Sequence, residues 1–129
     1  KIPTFIKPIS WVWLIAILYL SLKPNAQMPL DFEYVDKLLH FMAYGLATIL
    51  TLMAYPNLDK YKLIALLFTY SFLLEIAQLF AKNRLFELAD LAANLTGILL
   101  SVLLFGFISQ DYLSTNSYLF VLIVIVTIL

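Results

Sequence analysis

The sequence predicts an all-α, polytopic membrane bundle of four transmembrane helices, with a fifth, short or truncated one left open at the C-terminus. Composition is the first reason. Of 129 residues, 64% are hydrophobic and only 12% charged, where a soluble domain carries about 25% charged and 45–50% apolar residues. So small a chain leaves much of its surface outside the core after folding, so the excess apolar surface must face lipid. The second reason is that the charges fall between long apolar runs. The third is that period-2 alternation is absent. Only helices and closed barrels satisfy their backbone in a bilayer, and barrel strands alternate.

The elements follow from the charges. Lys7 and Lys23 bracket the first span, the uncharged stretch from Pro8 to Leu22. Its 15 residues rise about 22 Å, short of a hydrocarbon core of about 30 Å, which snorkelling lysines and local thinning can match. Pro8 suits the first turn of a helix, where its missing N–H costs nothing. Trp11 and Trp13 lie near the same end, at the depth indoles favour. The second span runs from after Lys37 to about Tyr55 and ends at Pro56-Asn57. The third runs from about Tyr61 to Phe80 and carries Glu75 and Gln78. The fourth runs from near Leu88 to about Ile108, with Asp90 and Asn94 in its first turns.

The whole chain, 1–129, reads as a single membrane domain. The first span has the lysines of a secretory signal but no small-x-small cleavage site before Asp31, and is expected to be retained. Beyond Ser114–Ser117, the apolar stretch from Tyr118 to Leu129 is too short to span in the ordinary way. A re-entrant piece and a tilted fifth helix both remain open for it. Basic residues divide evenly between the two faces, with Lys1, Lys7, Lys60 and Lys62 against Lys23, Lys37, Lys82 and Arg84. The expectation adopted is an N-terminus inside.

Composition also excludes functions. Eight basic residues balance eight acidic ones, leaving no basic patch for nucleic acid. The absence of cysteine removes disulfides, thiolate metal sites and cysteine nucleophiles.

Alternating topology places the loops holding residues 23–37 and 81–87 on one membrane face. Asp36, Lys37, His40 and Tyr44, then Glu75 and Gln78, then Arg84, Asp90 and Asn94 therefore crowd toward that face. Spacing sharpens the point. Asp36, His40 and Tyr44 stand at i, i+4, i+8; Glu75 and Gln78 at i, i+3; Asp90 and Asn94 at i, i+4, with Gly97 and Ser101 continuing as small residues. Small residues let helices approach closely, so this face of the fourth helix is expected to pack on a neighbour. Each residue singly has an ordinary explanation. Asp36 and Asp90 suit helix caps, Lys37 and Arg84 interfacial anchors, His40 a hydrogen-bonded core residue, and Glu75 a structural ion pair. Their convergence on one face is what points to a pocket.

The blocks Asp36-Lys37-x-x-His40-Phe41-x-x-Tyr44, Glu75-x-x-Gln78-x-Phe80 and Arg84-x-Phe86-x-x-x-Asp90-x-x-x-Asn94-x-x-Gly97 resemble the signature of the VanZ-like family over about residues 10–108. That resemblance implies small bacterial integral membrane proteins, named for a member that gives low-level teicoplanin resistance. It also implies an address in the cytoplasmic (inner) membrane. Asn83 and Ser101 stand where relatives often carry glycine; both are small enough to keep the packing.

Three functions follow. The leading one is a non-enzymatic envelope protein whose pocket, opening toward the outer face, binds a membrane lipid or lipid-linked envelope precursor, a lipoglycopeptide antibiotic being a further candidate. Lys37 and Arg84 would hold an anionic headgroup, with Asp36, Glu75 and Asp90 orienting them or meeting sugar hydroxyls. The alternative is an intramembrane enzyme with Glu75 and His40 as general base and acid, or with a divalent cation on Asp36, His40, Glu75 and Asp90. No nucleophile motif, phosphate loop or H-E-x-x-H helix accompanies them, so no catalytic residue, metal or cofactor is assigned. The third is a scaffold or transport part of a larger complex, for which no internal repeat speaks.

Overall fold

The computed structural model describes residues 4–23, 33–81 and 86–107. Arg84 and the apolar tail from Tyr118 to Leu129 lie outside the described residues. The described residues form four helices and their connections: α1 (Ile6–Leu22), α2 (Glu33–Ala54), α3 (Lys60–Gln78) and α4 (Leu88–Phe107). By length and composition, α2, α3 and α4 are each able to cross a membrane, and α1 is a shorter apolar helix. At 17 residues, α1 rises about 25 Å. The chain is a multi-pass membrane protein.

The helix ends follow local chemistry. Pro8 sits in the first turn of α1 and costs it no hydrogen bond. α2 stops at Ala54, two residues before Pro56, which can neither donate to nor fit a continuing helix. Asp59, extended at φ −60° and ψ 131°, then caps α3 by accepting from the Tyr61 N–H at 3.4 Å. α3 ends at Gln78, and Leu79 and Phe80 form a turn. α2 begins at Glu33 rather than after Lys37. The expected boundary treated Lys37 as an anchor at the water's edge, whereas partners on α4 let it stand a full turn inside the helix.

The helices pack in the cyclic order α1–α2–α4–α3, with α2 against α4 the dominant contact and α2 against α3 a slight one. Side-chain pairs fix the directions. Lys37 meets Asp90, His40 meets Asn94 and Gly45 meets Ser101, so α2 and α4 run parallel. Ser71 meets Asn94 and Glu75 meets Glu87, so α3 runs against α4. α1 runs against α2 through Trp13 to the Ala43 carbonyl at 2.9 Å and Trp11 to the Tyr55 hydroxyl at 2.8 Å. The start of α2, the end of α3 and the start of α4 thus share one end of the bundle, as alternating topology requires.

Gly97 explains why α2 and α4 dominate. A Cβ built there would lie 2.3 Å from the Phe41 carbonyl oxygen and 3.1 Å from the Gly45 nitrogen. The backbones touch, and only hydrogen fits between them. One turn on, the Ser101 hydroxyl donates to the Gly45 carbonyl at 3.1 Å. This is the close approach that small residues permit and that dispersion and buried hydrogen bonds reward where lipid competes for apolar contact. The core of Ile17, Tyr44, Ala47, Leu52, Leu63, Leu67, Leu74 and Ile98 draws on all four helices. Outward, Trp11, Ile15, Leu39, Leu66, Phe72, Leu99 and Leu103 are exposed, the surface that faces lipid. Trp13 departs from its expected interfacial place: it turns inward, and its indole N–H is satisfied by α2 mid-helix.

Candidate functional site

The site grows from Lys37. Its ammonium Nζ lies 2.7 Å from Asp90 Oδ1 and 3.0 Å from Asp36 Oδ2, and also pairs with Glu87 Oε2. One side chain of α2 thus gathers carboxylates from its own helix, from the residue before α4 and from the first turn of α4. Neither aspartate caps. Asp36 is the fourth residue of α2, and both of its oxygens turn to Lys37 and His40.

His40, one turn further in, faces the same carboxylates from the other side. Its Nε2 lies 3.6 Å from Asp36 Oδ1 and 3.5 Å from Asp90 Oδ2. Its Nδ1 lies 3.1 Å from Asn94 Oδ1, and Asn94 Nδ2 donates to Ser71 Oγ at 2.7 Å. The amide's donor end is thereby assigned to Ser71, so its oxygen accepts from Nδ1–H. The chain His40–Asn94–Ser71 joins α2, α4 and α3 where Asn94 is 1% and Ser71 0% exposed. Among the described residues, no buried side-chain nitrogen or oxygen lacks a partner.

Glu75, 2% exposed, reaches the cluster from α3 by accepting the Glu87 N–H at 3.4 Å. It stands within electrostatic reach of Asp90 and His40. Among the described residues, Glu75 and His40 share no hydrogen bond, so the acid–base pair expected of an enzyme is not in direct contact. Gln78 turns away to donate to the Ser21 carbonyl at 3.0 Å, tying α3 to the end of α1. Tyr44 is buried among core side chains, with its hydroxyl hydrogen-bonded to Ser71. The structure therefore unites Asp36, Lys37, His40, Asp90 and Asn94, brings Glu75 to their edge, sets Tyr44 against Ser71 of the same network, and turns Gln78 toward α1.

Two members escaped sequence reasoning. Ser71 lies four residues before Glu75, and Glu87 three before Asp90, each on a polar helical stripe already in view. A lone serine in an apolar span and an acid at a loop end carry too little signal singly.

Every helix among the described residues but α1 contributes to this network, which draws Asp36, Lys37 and His40 from the first sequence block, Glu75 from the second, and Asp90 and Asn94 from the described part of the third. The chain matches no curated protein and no solved structure. The family model described as VanZ/LLP1 matches residues 2–109 of this chain's 129, and the chain belongs to that family.

Proposed function

We propose that this VanZ/LLP1 protein works in the bacterial envelope by receiving the headgroup of a membrane lipid or lipid-linked precursor at the polar end of its bundle, and so contributes to teicoplanin tolerance. The observation that carries the reading is the meeting of ionic and amide groups from α2, α3 and α4 at one end of a lipid-facing bundle. Charged groups at membrane depth are costly and face the bundle interior where they serve a purpose. The charge pattern favours one kind of headgroup. Lys37 is shared among three carboxylates, so an anionic group would have to displace one of them. Sugar hydroxyls displace nothing, because they accept from an ammonium and donate to carboxylates.

The test is teicoplanin and vancomycin susceptibility side by side in a Gram-positive host expressing the chain or its Glu75→Gln variant at equal membrane abundance. Raised tolerance to teicoplanin alone, lost in the variant, is expected. Unchanged susceptibility with the wild-type chain overturns the tolerance role, and equal tolerance in the variant removes Glu75 from it.

A further inference from the structure

We infer that His40 Nε2, Asp36 Oδ1 and Asp90 Oδ2 form a site for a first-row divalent cation such as Zn²⁺, with the amide of Asn94 holding the imidazole in the ligating orientation. One ligand atom from each of the three residues lies within 4.8 Å of the others. The two distances from Nε2, 3.5 and 3.6 Å, lie beyond the usual hydrogen-bond range of about 2.7–3.2 Å. Charge-assisted pairs are shorter still, about 2.7–2.9 Å. They match the ligand–ligand edge of a tetrahedral ion, about 3.4 Å for bonds of about 2.0–2.1 Å.

The histidine's other nitrogen gives an independent reason. Nδ1–H is committed to Asn94 Oδ1, so a neutral ring turns the Nε2 lone pair toward carboxylate oxygens of Asp36 and Asp90 that also lie against one another, crowding three oxygen and nitrogen ligand atoms around one point. A cation at their common centre resolves that. A ligating histidine characteristically gives its second N–H to such an outer partner, and here the partner is itself fixed by the fully buried Ser71.

Charge closes in the same way. Among the described residues in mutual contact, Asp36, Glu87 and Asp90 against Lys37 leave two negative charges. A divalent cation neutralises them. Lys37 grips the opposite carboxylate oxygens, Asp36 Oδ2 and Asp90 Oδ1, and so orients the ligating pair without occupying the same face. With three protein ligands, a fourth position stays open, which structural zinc sites lack. Glu75, considered for a cation site on sequence grounds, is not among the three.

The site does not depend on the headgroup reading, and its test contains neither antibiotic nor precursor. The full chain in phosphatidylcholine nanodiscs, stripped by chelator, is titrated with Co²⁺ and then with Zn²⁺. One equivalent of Co²⁺ per chain is expected, with the intense visible absorption of a four-coordinate ion, displaced by Zn²⁺. Asn94→Ala is expected to weaken binding about 10- to 100-fold and His40→Ala by more, while Trp11→Phe at the far end changes nothing. His40 is the only histidine, so its ring nitrogen resonances identify themselves in the wild-type chain. Zn²⁺ must move Nε2 and leave Nδ1 protonated. Failure of the wild type to take up stoichiometric metal, or uptake that leaves Nε2 unmoved, overturns the proposal whether or not any variant folds.

Discussion

The two ends of the bundle solve the same problem in opposite ways. At the end where α2 and α4 begin, polar groups from three helices consume one another, in ion pairs around Lys37 and hydrogen bonds around Asn94. At the other end α1, α2 and α3 stand apart around an apolar cleft of about 600 Å³, lined by Leu14, Leu63 and Leu67, with Lys7, Trp11 and Tyr55 at its rim. There aromatic side chains stand beside the hydroxyls of Ser10 and Thr51. Trp11 donates to Tyr55, whose ring lies 5.4 Å beneath Lys7 Nζ, and Tyr70 donates to the Leu14 carbonyl. The contrast teaches that the close α2–α4 contact is a local device. Side chains of one residue type or another could fill the cleft, but the polar end depends on two backbones meeting at Gly97.

Gly97→Leu is the harshest way to break that contrast. The new side chain would collide with the Phe41 carbonyl, a backbone atom that cannot rotate aside, and should destabilise by more than the upper value of about 3 kcal/mol usual for overpacking. The loss is read as absence of folded protein after membrane extraction. Lys37→Met comes next. It leaves Asp36, Glu87 and Asp90 facing one another without an ammonium, and removal of one partner from a buried ionic group costs about 3–5 kcal/mol. The cluster's partial exposure puts the expected cost near about 3 kcal/mol. Reversible unfolding in mixed detergent micelles measures it. Trp11→Phe, which deletes one hydrogen bond at the open end, should cost about 0.6 kcal/mol by the same measurement, in line with interhelical hydrogen bonds in membranes. A cost for Trp11→Phe equal to that of Lys37→Met would erase the distinction between the ends.

Much of this architecture was legible in the chain because charges punctuate it. Four apolar runs gave four helices, and alternation brought the ends of α2, α3 and α4 together. The spacing from Asp90 through Asn94 to Gly97 and Ser101 marked the face that α4 lays on α2. What was not legible depends on partners distant in sequence. Lys37 is 53 residues from Asp90, and without that contact it read as an anchor, which misplaced the start of α2. Asp36 and Asp90 read as caps because a carboxylate near a helix start usually serves its own backbone, whereas here Asp36 meets the side chains of Lys37 and His40 on its own helix and Asp90 meets the same two across the α2–α4 contact. Trp13 read as interfacial because indoles favour that depth, but its N–H donates to the Ala43 carbonyl and holds it inward. Gln78 shares a stripe with Glu75 yet bonds to the end of α1, because a stripe says only which way a side chain leaves the helix and not what it meets.

The parallel course of α2 and α4 has a consequence for how the protein is made. Parallel neighbours cannot be joined by a short turn, so α3 must be threaded through the bilayer between them. During synthesis α2 therefore enters before its principal partner exists, carrying Asp36, Lys37 and His40. The contact between the adjacent Asp36 and Lys37 is available from the outset and lets the helix neutralise its own charges while it waits. Each newly inserted copy passes through a stage in which a charged helix face has only itself, and the arrival of α4 ends it.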